Sequence, residues 1–159
     1  WAVRQVSANP LPRVTILGAG ATARAALIAA TGLGARQVTV IARTPSRAEP
    51  LRALSLEVGV ELDIRPWSPR LPDADLAVST VVSGAADAIA QAVADTAPLV
   101  VDAIYYPWPT VLATAAQRAG CFVVSGRDLL IGQALLQIEL MTGRSVDADV
   151  LYDALVEDC

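Results

Sequence analysis

The sequence predicts an α/β fold, in which a parallel sheet of about six strands is doubly wound and covered by helices on both faces. Short runs of β-branched and aliphatic residues alternate with longer helix-forming segments, and glycine or proline separates most of them. The apolar runs show no polar alternation, as is typical of parallel strands buried on both faces. Since 54% of the 159 residues are hydrophobic, one domain of this length can bury such a core.

In the first half of the chain, β-branched runs mark the strands and helical spacing marks the helices. Leu51, Leu54 and Val58 form an apolar stripe at helical spacing, and Gly32 or Gly34 can end the helix before it. Strands are predicted at 14–17, 37–41 and 60–64, and helices at 21–31 and 46–58.

The second half continues the alternation after a proline-rich loop at 66–72. Thr110 is a typical N-cap, and Gly143 can end a long helix. Strands are predicted at 75–80, 99–102 and 121–124, and helices at 85–95, 110–120, 129–142 and 149–156. The predicted strand order is 3-2-1-4-5-6, which puts a ligand at the carboxyl ends of strands one and four.

Composition and charge exclude several functional classes. The net charge is −4 and the arginines are scattered, which argues against a nucleic-acid surface. No apolar run approaches the roughly eighteen residues of a membrane span, and no signal peptide is recognised, so we expect a soluble cytoplasmic protein. Cys121 and Cys159 lack metal-ligand spacing, and we interpret them as free thiols.

The chain contains no His and no Lys. It therefore offers no Ser-His-Asp triad, no His-ligated metal site, no Schiff base and no lysine general acid. Proton chemistry of those kinds must come from outside these residues.

A glycine-rich turn follows the first predicted strand. Gly18, Gly20 and Ala23 form the pattern G-x-G-x-x-A between a strand and a helix. Gly18 would make the turn, Gly20 would let a pyrophosphate approach the backbone, and Ala23 would allow close packing. Any strand-turn-helix unit also needs small residues, so the pattern gains weight only from its place at the start of a βαβ series.

Arginines follow the second predicted strand, where an NAD-binding protein would carry an acid. Arg43 and Arg47, with the hydroxyl of Thr44 between them, could hold the 2′-phosphate of NADP through charge-assisted hydrogen bonds. The alternative is that both arginines are simply solvated. Their position beside the expected ribose favours NADP as the cofactor of a Rossmann-type domain.

Aromatic residues concentrate in the segment 102–110, although they make up only 4% of the chain. Tyr105 or Tyr106 could face a ligand there, or the segment could be an apolar plug over the end of the sheet. Further on, Gln133 and Gln137 lie one turn apart on an apolar helix, so that one could face a cleft.

Four strings together resemble shikimate dehydrogenase. They are LGAGATARAAL at 17–27, GLGARQVTVIARTPSRA at 32–48, D-x-x-Y-x-P-x-x-T at 102–110 and G-x-x-L-L-x-x-Q-A at 126–134. The resemblance implies NADPH-dependent reduction of 3-dehydroshikimate to shikimate, in the route to aromatic amino acids. Ala42 replaces the family's usual Asn, and Ser79 to Val82 replaces its common N-T-T-P.

The resemblance also implies roles for individual residues. The cofactor-binding set is Gly18, Ala19, Gly20 and Ala21 at the pyrophosphate, Arg43, Thr44 and Arg47 at the 2′-phosphate, and Thr80 and Val81 on the nicotinamide side. Tyr105 and Gln133 would contact the substrate. No catalytic residue and no metal site is predicted in this chain, because the family's catalytic Lys and Asp lie upstream, in an N-terminal substrate domain and at its junction.

The chain is accordingly expected to be the cofactor half of a longer enzyme, which binds NADPH but does not turn over substrate alone. We divide it into a connector at 1–12, an NADP-binding Rossmann domain at 13–143 and a C-terminal helix at 144–159 that returns toward the substrate domain. The predicted partner is a small-molecule substrate shared with that domain; shikimate or quinate, and a monomer or a homodimer, stay open. The rival interpretations are a related reductase such as glutamyl-tRNA reductase and a non-catalytic NADP-binding or regulatory module.

Overall fold

A six-stranded parallel sheet with strand order 3-2-1-4-5-6 forms the centre of the computed structural model, which describes residues 1–156. The predicted fold class and strand order are confirmed. The strands are β1 (Arg13–Leu17), β2 (Gln37–Ala42), β3 (Glu61–Pro66), β4 (Leu76–Ser79), β5 (Leu99–Asp102) and β6 (Phe122–Val124). Cys159 and the end of the predicted segment 144–159 lie outside the described residues.

Seven α-helices accompany the strands in this part of the chain. They are α1 (Ala2–Val6), α2 (Ala21–Gly32), α3 (Pro50–Val58), α4 (Ala90–Thr96), α5 (Val111–Arg118), α6 (Gly126–Thr142) and α7 (Ala148–Val156). None of the helices in residues 1–156 combines the length and the apolar character needed to cross a bilayer.

The strand register brings the ends of neighbouring strands level. Leu17 pairs with Ile41 on one side and with Ser79 on the other, and Ser79 pairs with Asp102. The segments that leave β1, β2, β4 and β5 therefore emerge together at the carboxyl edge of the sheet, which is where open α/β sheets bind ligands.

Two apolar layers hold helices against the sheet. On one face, α2 and α3 bury Leu27 and Leu54 against Ile16 and Val40 of the central strands. On the other face, Val93 of α4 and Leu112 of α5 belong to a second buried cluster with Leu17 and Val100. Small and aliphatic side chains fill both layers, in keeping with the low aromatic content.

Three predicted helices begin differently in the structure. The helix predicted at 85–95 is observed as a 3₁₀ turn, Asp87–Ile89, followed by α4 from Ala90. Residues 46–58 divide into a 3₁₀ turn, Pro45–Ala48, and α3, because Pro50 opens a new helix at a position where its missing N–H is tolerated. The helix predicted at 129–142 begins at Gly126, since Ser125 and Asp128 cap each other's backbone there.

The segment before β1 is also ordered. It contains α1, and the guanidinium of Arg4 donates to the carbonyl oxygen of Gly32 at 3.0 Å. The amide of Leu11 donates to the carbonyl of Leu33 at 2.9 Å, which ties the same segment to the end of α2. A side chain at Gly132 would lie 3.0 Å from the ring of Trp1, so the first residue packs directly on α6.

Candidate nucleotide-binding site

The turn after β1 is built around Gly18 and Thr80. Gly18 has φ +108°, and a Cβ on it would lie 2.6 Å from Thr80 Oγ1. Both the amide and the hydroxyl of Thr80 donate to the carbonyl oxygen of Leu17, at 2.9 and 2.7 Å. Only glycine fits this position, because it tolerates the positive φ and lacks the clashing atom. Thr80 is predicted to bind cofactor, but its hydroxyl forms a hydrogen bond within the turn itself.

The start of α2 is open to a ligand. Gly20 is the extended N-cap residue, and no side chain caps the helix there. A Cβ on Gly20 would meet nothing within 4 Å, whereas Ala23 is fully buried against the sheet. The amides at the first turn therefore point their unpaired hydrogens and the positive end of the helix dipole toward solvent. Ala19 is half-buried and Ala21 is exposed at this point.

The arginine loop follows β2 at the same edge of the sheet. Arg43, Thr44 and Arg47 are exposed, and Arg47 N donates to the carbonyl of Thr44 at 3.0 Å to close the 3₁₀ turn. Within residues 1–156, neither guanidinium has a hydrogen-bond or ion-pair partner. Two cations thus follow the strand next to β1, at the same edge of the sheet as the uncapped N-terminus of α2, and both are available for an anionic ligand.

The segment after β5 is anchored by a buried acid. Asp102 is 2% exposed and accepts from Thr110 Oγ1 at 2.6 Å and from the amide of Ile104 at 3.3 Å. Thr110 also accepts from Ala113 N at 2.9 Å, so it caps α5 as predicted. The pair of Asp102 and Thr110 therefore joins the two ends of the segment 102–110, which we call the aromatic loop.

The aromatic side chains of that loop lie outside the core. Tyr105 is 62% exposed and Tyr106 is 80% exposed, with Trp108 less so. An apolar plug would bury these rings, so the plug interpretation is wrong for both tyrosines. The peptide bonds Tyr106–Pro107 and Trp108–Pro109 are cis.

The N-terminus of α6 packs against the same loop. Gly126 N donates to the carbonyl of Ile104 at 3.2 Å, and a Cβ on Gly126 would lie 2.6 Å from the carbonyl carbon of Ile104. The helix can approach this closely only because residue 126 has no side chain. Sequence reasoning gave Gly126 no role beyond its place in a motif.

A hydrogen-bonded cluster at the start of α6 was not predicted. Asp128 accepts from the amide and the hydroxyl of Ser125, both at 2.7 Å, and from the hydroxyl of Tyr152 in α7 at 2.7 Å. Burial alone would raise the pKa of Asp128, but the hydrogen bonds from Tyr152 and Ser125 outweigh it and lower the pKa below its usual value. Burial and the bond to Asp128 raise the pKa of Tyr152 to about 12. The pattern S-x-x-D before an apolar run is the signal that could have located the cap.

The predicted substrate residue Gln133 is separate from these contacts. It is exposed and lies about two turns into α6. None of the hydrogen bonds described for residues 1–156 joins it to Tyr105. The structure thus places the glycine turn, the arginine loop, Thr80 with the half-buried Val81, and Tyr105 at one edge of the sheet, with Gln133 further along α6.

A larger hollow lies away from this edge. It has a volume of about 200 Å³ and involves the first residues of β1 and β2, with Arg13, Thr15 and Gln37 among its walls. Open α/β sheets bind nucleotides beyond the carboxyl ends of their strands. The carboxyl edge is therefore the candidate site for a nucleotide, although the pocket at the ends of β4 and β5 has a volume of only about 10 Å³.

Comparison with known proteins gives a consistent result. Over 149 residues the chain is 36% identical to the NADP(+) shikimate dehydrogenase of Methylobacterium radiotolerans, a match that covers 90% of this chain and 52% of that protein. No family model matches the chain. The chain spans about half the length of the curated relatives it matches.

Solved structures agree. The crystal structure of Mycobacterium tuberculosis shikimate dehydrogenase matches with a TM-score of 0.83 and 33% identity over 98% of this chain and 60% of that one. A shikimate 5-dehydrogenase from Mycobacterium fortuitum gives a TM-score of 0.83 and 32% identity over 96% of this chain and 59% of that one. The chain is therefore a homologue of the shikimate dehydrogenases over about half of their length.

Proposed function

We propose that this chain binds NADP(H) as the cofactor-binding half of an NADP-dependent shikimate dehydrogenase. The observation that carries the proposal is the pair of unpartnered guanidiniums, Arg43 and Arg47, beside the uncapped N-terminus of α2. The relatives matched over about half their length carry names that include NADP(+), which supports the same cofactor.

The residues present fit the cofactor in three places. Open space at Gly20 and the free amides of the first turn of α2 suit a diphosphate, which carries negative charge and many acceptor oxygens. Arg43, Arg47 and the hydroxyl of Thr44 suit a monoester phosphate on the neighbouring ribose. The end of β4, with Val81 half-buried, provides an apolar surface for the nicotinamide ring.

When bound, NADPH supplies the hydride that reduces the ketone of 3-dehydroshikimate to the alcohol of shikimate. This chain's own residues bind and orient the cofactor and the substrate. The Gly18 turn and α2 hold the diphosphate, the arginine loop selects the phosphorylated ribose, and Tyr105 and Gln133 present a hydroxyl and an amide to a polyhydroxylated substrate. The proton would come from the Lys and the Asp that the resemblance to shikimate dehydrogenase places in the N-terminal half of the enzyme; this chain contains no Lys.

The proposal is tested by separating binding from turnover. Calorimetry on the purified chain should detect NADPH binding, while mixing the chain with NADP and shikimate should give no rise in absorbance at the nicotinamide band. Binding without turnover supports a cofactor half. Turnover by the chain alone would refute the assignment of its proton chemistry to another domain, and failure to bind NADPH would refute the cofactor role.

A further inference from the structure

We propose that Tyr152 is a positioning residue for the substrate side of the site, which it orders through Asp128 without contributing to cofactor binding. This inference rests on the proposed function, since it takes Tyr105 and Gln133 as the substrate contacts. It concerns the hydrogen-bonded cluster of Ser125, Asp128 and Tyr152, none of which belongs to the glycine turn or the arginine loop.

The first step is the link between α7 and α6. Tyr152 donates to one carboxylate oxygen of Asp128 at 2.7 Å, while the other oxygen accepts from Ser125. Both oxygens of Asp128 are therefore occupied, and the carboxylate is partly withdrawn from water. A hydrogen bond to a charged, partly buried acceptor is stronger than an ordinary neutral bond.

The second step runs from the start of α6 to the aromatic loop. Gly126 follows the cap residue Ser125 directly, and its amide donates to the carbonyl of Ile104. Ile104 is the neighbour of Tyr105, and its own amide is held by Asp102. Residues 125–128 thus contact α7 through the side chain of Asp128 and the loop that carries Tyr105 through the amide of Gly126.

The third step concerns Gln133. This residue lies on the same helix as the cap, and rotation of α6 about its axis would change the direction of its side chain. The Asp128 to Tyr152 bond restrains that rotation at one end of the helix. Loss of the bond should therefore affect both predicted substrate contacts together.

The glycine turn and the arginine loop, which would hold the phosphates of NADP, are distant from this cluster. α6 follows β6, which is three strands from β1 and four strands from β2 in the sheet. At roughly 4.8 Å per strand, the glycine turn lies on the order of 14 Å or more away. Substitutions at such a separation act almost independently, so the contacts to the phosphates of NADP, and with them most of its affinity, should not depend on Tyr152.

The test compares Tyr152→Phe with Thr142→Val in the isotope-labelled 159-residue chain. The first variant removes the hydroxyl that binds Asp128. The second removes a hydroxyl that donates to the carbonyl of Ile138 at 2.7 Å near the other end of α6, so it is a matched loss on the same helix. Nuclear magnetic resonance follows the backbone amides of Gly126 and Tyr105 and the side-chain amide of Gln133, and calorimetry follows NADP.

In Tyr152→Phe we expect shifted signals for Tyr105 and for the Gln133 side chain, and roughly five- to tenfold faster exchange of the Gly126 amide. The Kd for NADP should stay within about twofold of the original. Thr142→Val should leave all of these signals in place.

Changes confined to α7 and Asp128 would overturn the proposal, because Tyr152 would then only attach one helix to another. A matching loss of NADP affinity would also overturn it. If the unaltered chain fails to bind NADP, the proposed function fails, yet the signals of Tyr105 and Gln133 still decide whether Tyr152 controls them.

Discussion

Thr110 joins the two ends of the aromatic loop through Asp102. Its hydroxyl donates to the buried carboxylate of Asp102 at 2.6 Å and accepts from the amide of Ala113 at 2.9 Å. The same side chain therefore satisfies a buried charge at the end of β5 and begins α5. The position of the loop that carries Tyr105 depends on this pair.

Replacing Thr110 with Val should destabilise the fold. The change keeps the shape of the side chain but removes the N-cap and one of the two described partners of a buried carboxylate. We expect a loss of about 2–4 kcal/mol in the free energy of unfolding, measured by urea denaturation. Thr110→Ser, which retains the hydroxyl, should lose less than about 1 kcal/mol. Equal losses in the two variants would show that the hydroxyl does not anchor the loop.

Gly18→Ala should reduce stability because the native backbone excludes a side chain there. The positive φ is strained for alanine, and the new Cβ would clash with Thr80 Oγ1. We expect a loss of about 1–3 kcal/mol in thermal or chemical unfolding.

Gly20→Ala is the matched change in the same turn, but it should weaken cofactor binding and leave stability almost unchanged. A Cβ at Gly20 meets no protein atom within 4 Å, and φ is −91°, which alanine accepts. Stability should fall by less than about 1 kcal/mol, while NADP binding should weaken about tenfold or more because the methyl group occupies the approach to the diphosphate. Unchanged binding in this variant would place the diphosphate elsewhere.

Asp75 should make stability depend on acidic pH. Hydrogen bonds from the guanidinium of Arg13, at 2.9 Å for the closest pair of atoms, lower the pKa of Asp75 below its ordinary value of 3.8, against the effect of burial. A lowered folded-state pKa stabilises the fold above the unfolded value, and this contribution is lost as pH falls through the folded one.

The free-energy difference between the unaltered chain and Asp75→Asn should therefore be constant near neutral pH and shrink below about pH 4. Chemical denaturation at a series of pH values measures it. A difference that stays constant down to pH 2 would show that the ion pair does not titrate with folding. Arg52→Met, at an exposed pair with Glu49, is the control and should show a smaller effect at neutral pH.

Regular alternation and turn residues were enough to predict the sheet. The run before Gly18 and the caps at Thr110 and Gly143 predicted β1, α5 and the end of α6 to within a residue or two. The start of α6 was placed too late, because Gly126 is a poor helix former and its reason for being there is close contact with Ile104. Contacts between residues distant in sequence leave no local pattern.

In the candidate site, too, local sequence features were predictable and contacts between distant residues were not. Local spacing pointed to Gly18, Gly20, Arg43 and Arg47, and the structure brings their segments to one edge of the sheet. The bond between Tyr152 and Asp128 joins residues 24 positions apart on different helices. Neither residue type is unusual where it lies, so only the folded chain reveals the pair.

We propose that Arg43 and Arg47 recognise the 2′-phosphate of NADP. Calorimetric titrations with NADP and with NAD should be made on the unaltered chain and on the double variant Arg43→Ala/Arg47→Ala. The double variant Arg36→Ala/Arg118→Ala is the control, because it removes the same charge from two other exposed arginines. The unaltered chain should prefer NADP by at least about tenfold.

Loss of Arg43 and Arg47 should weaken NADP by roughly a hundredfold and NAD by less than about threefold, since each charge-assisted bond contributes about 1.5–3 kcal/mol. The control should change neither by more than about twofold. Equal weakening of NADP and NAD, or an unaltered chain that binds both with the same affinity, would show that these arginines do not recognise the 2′-phosphate.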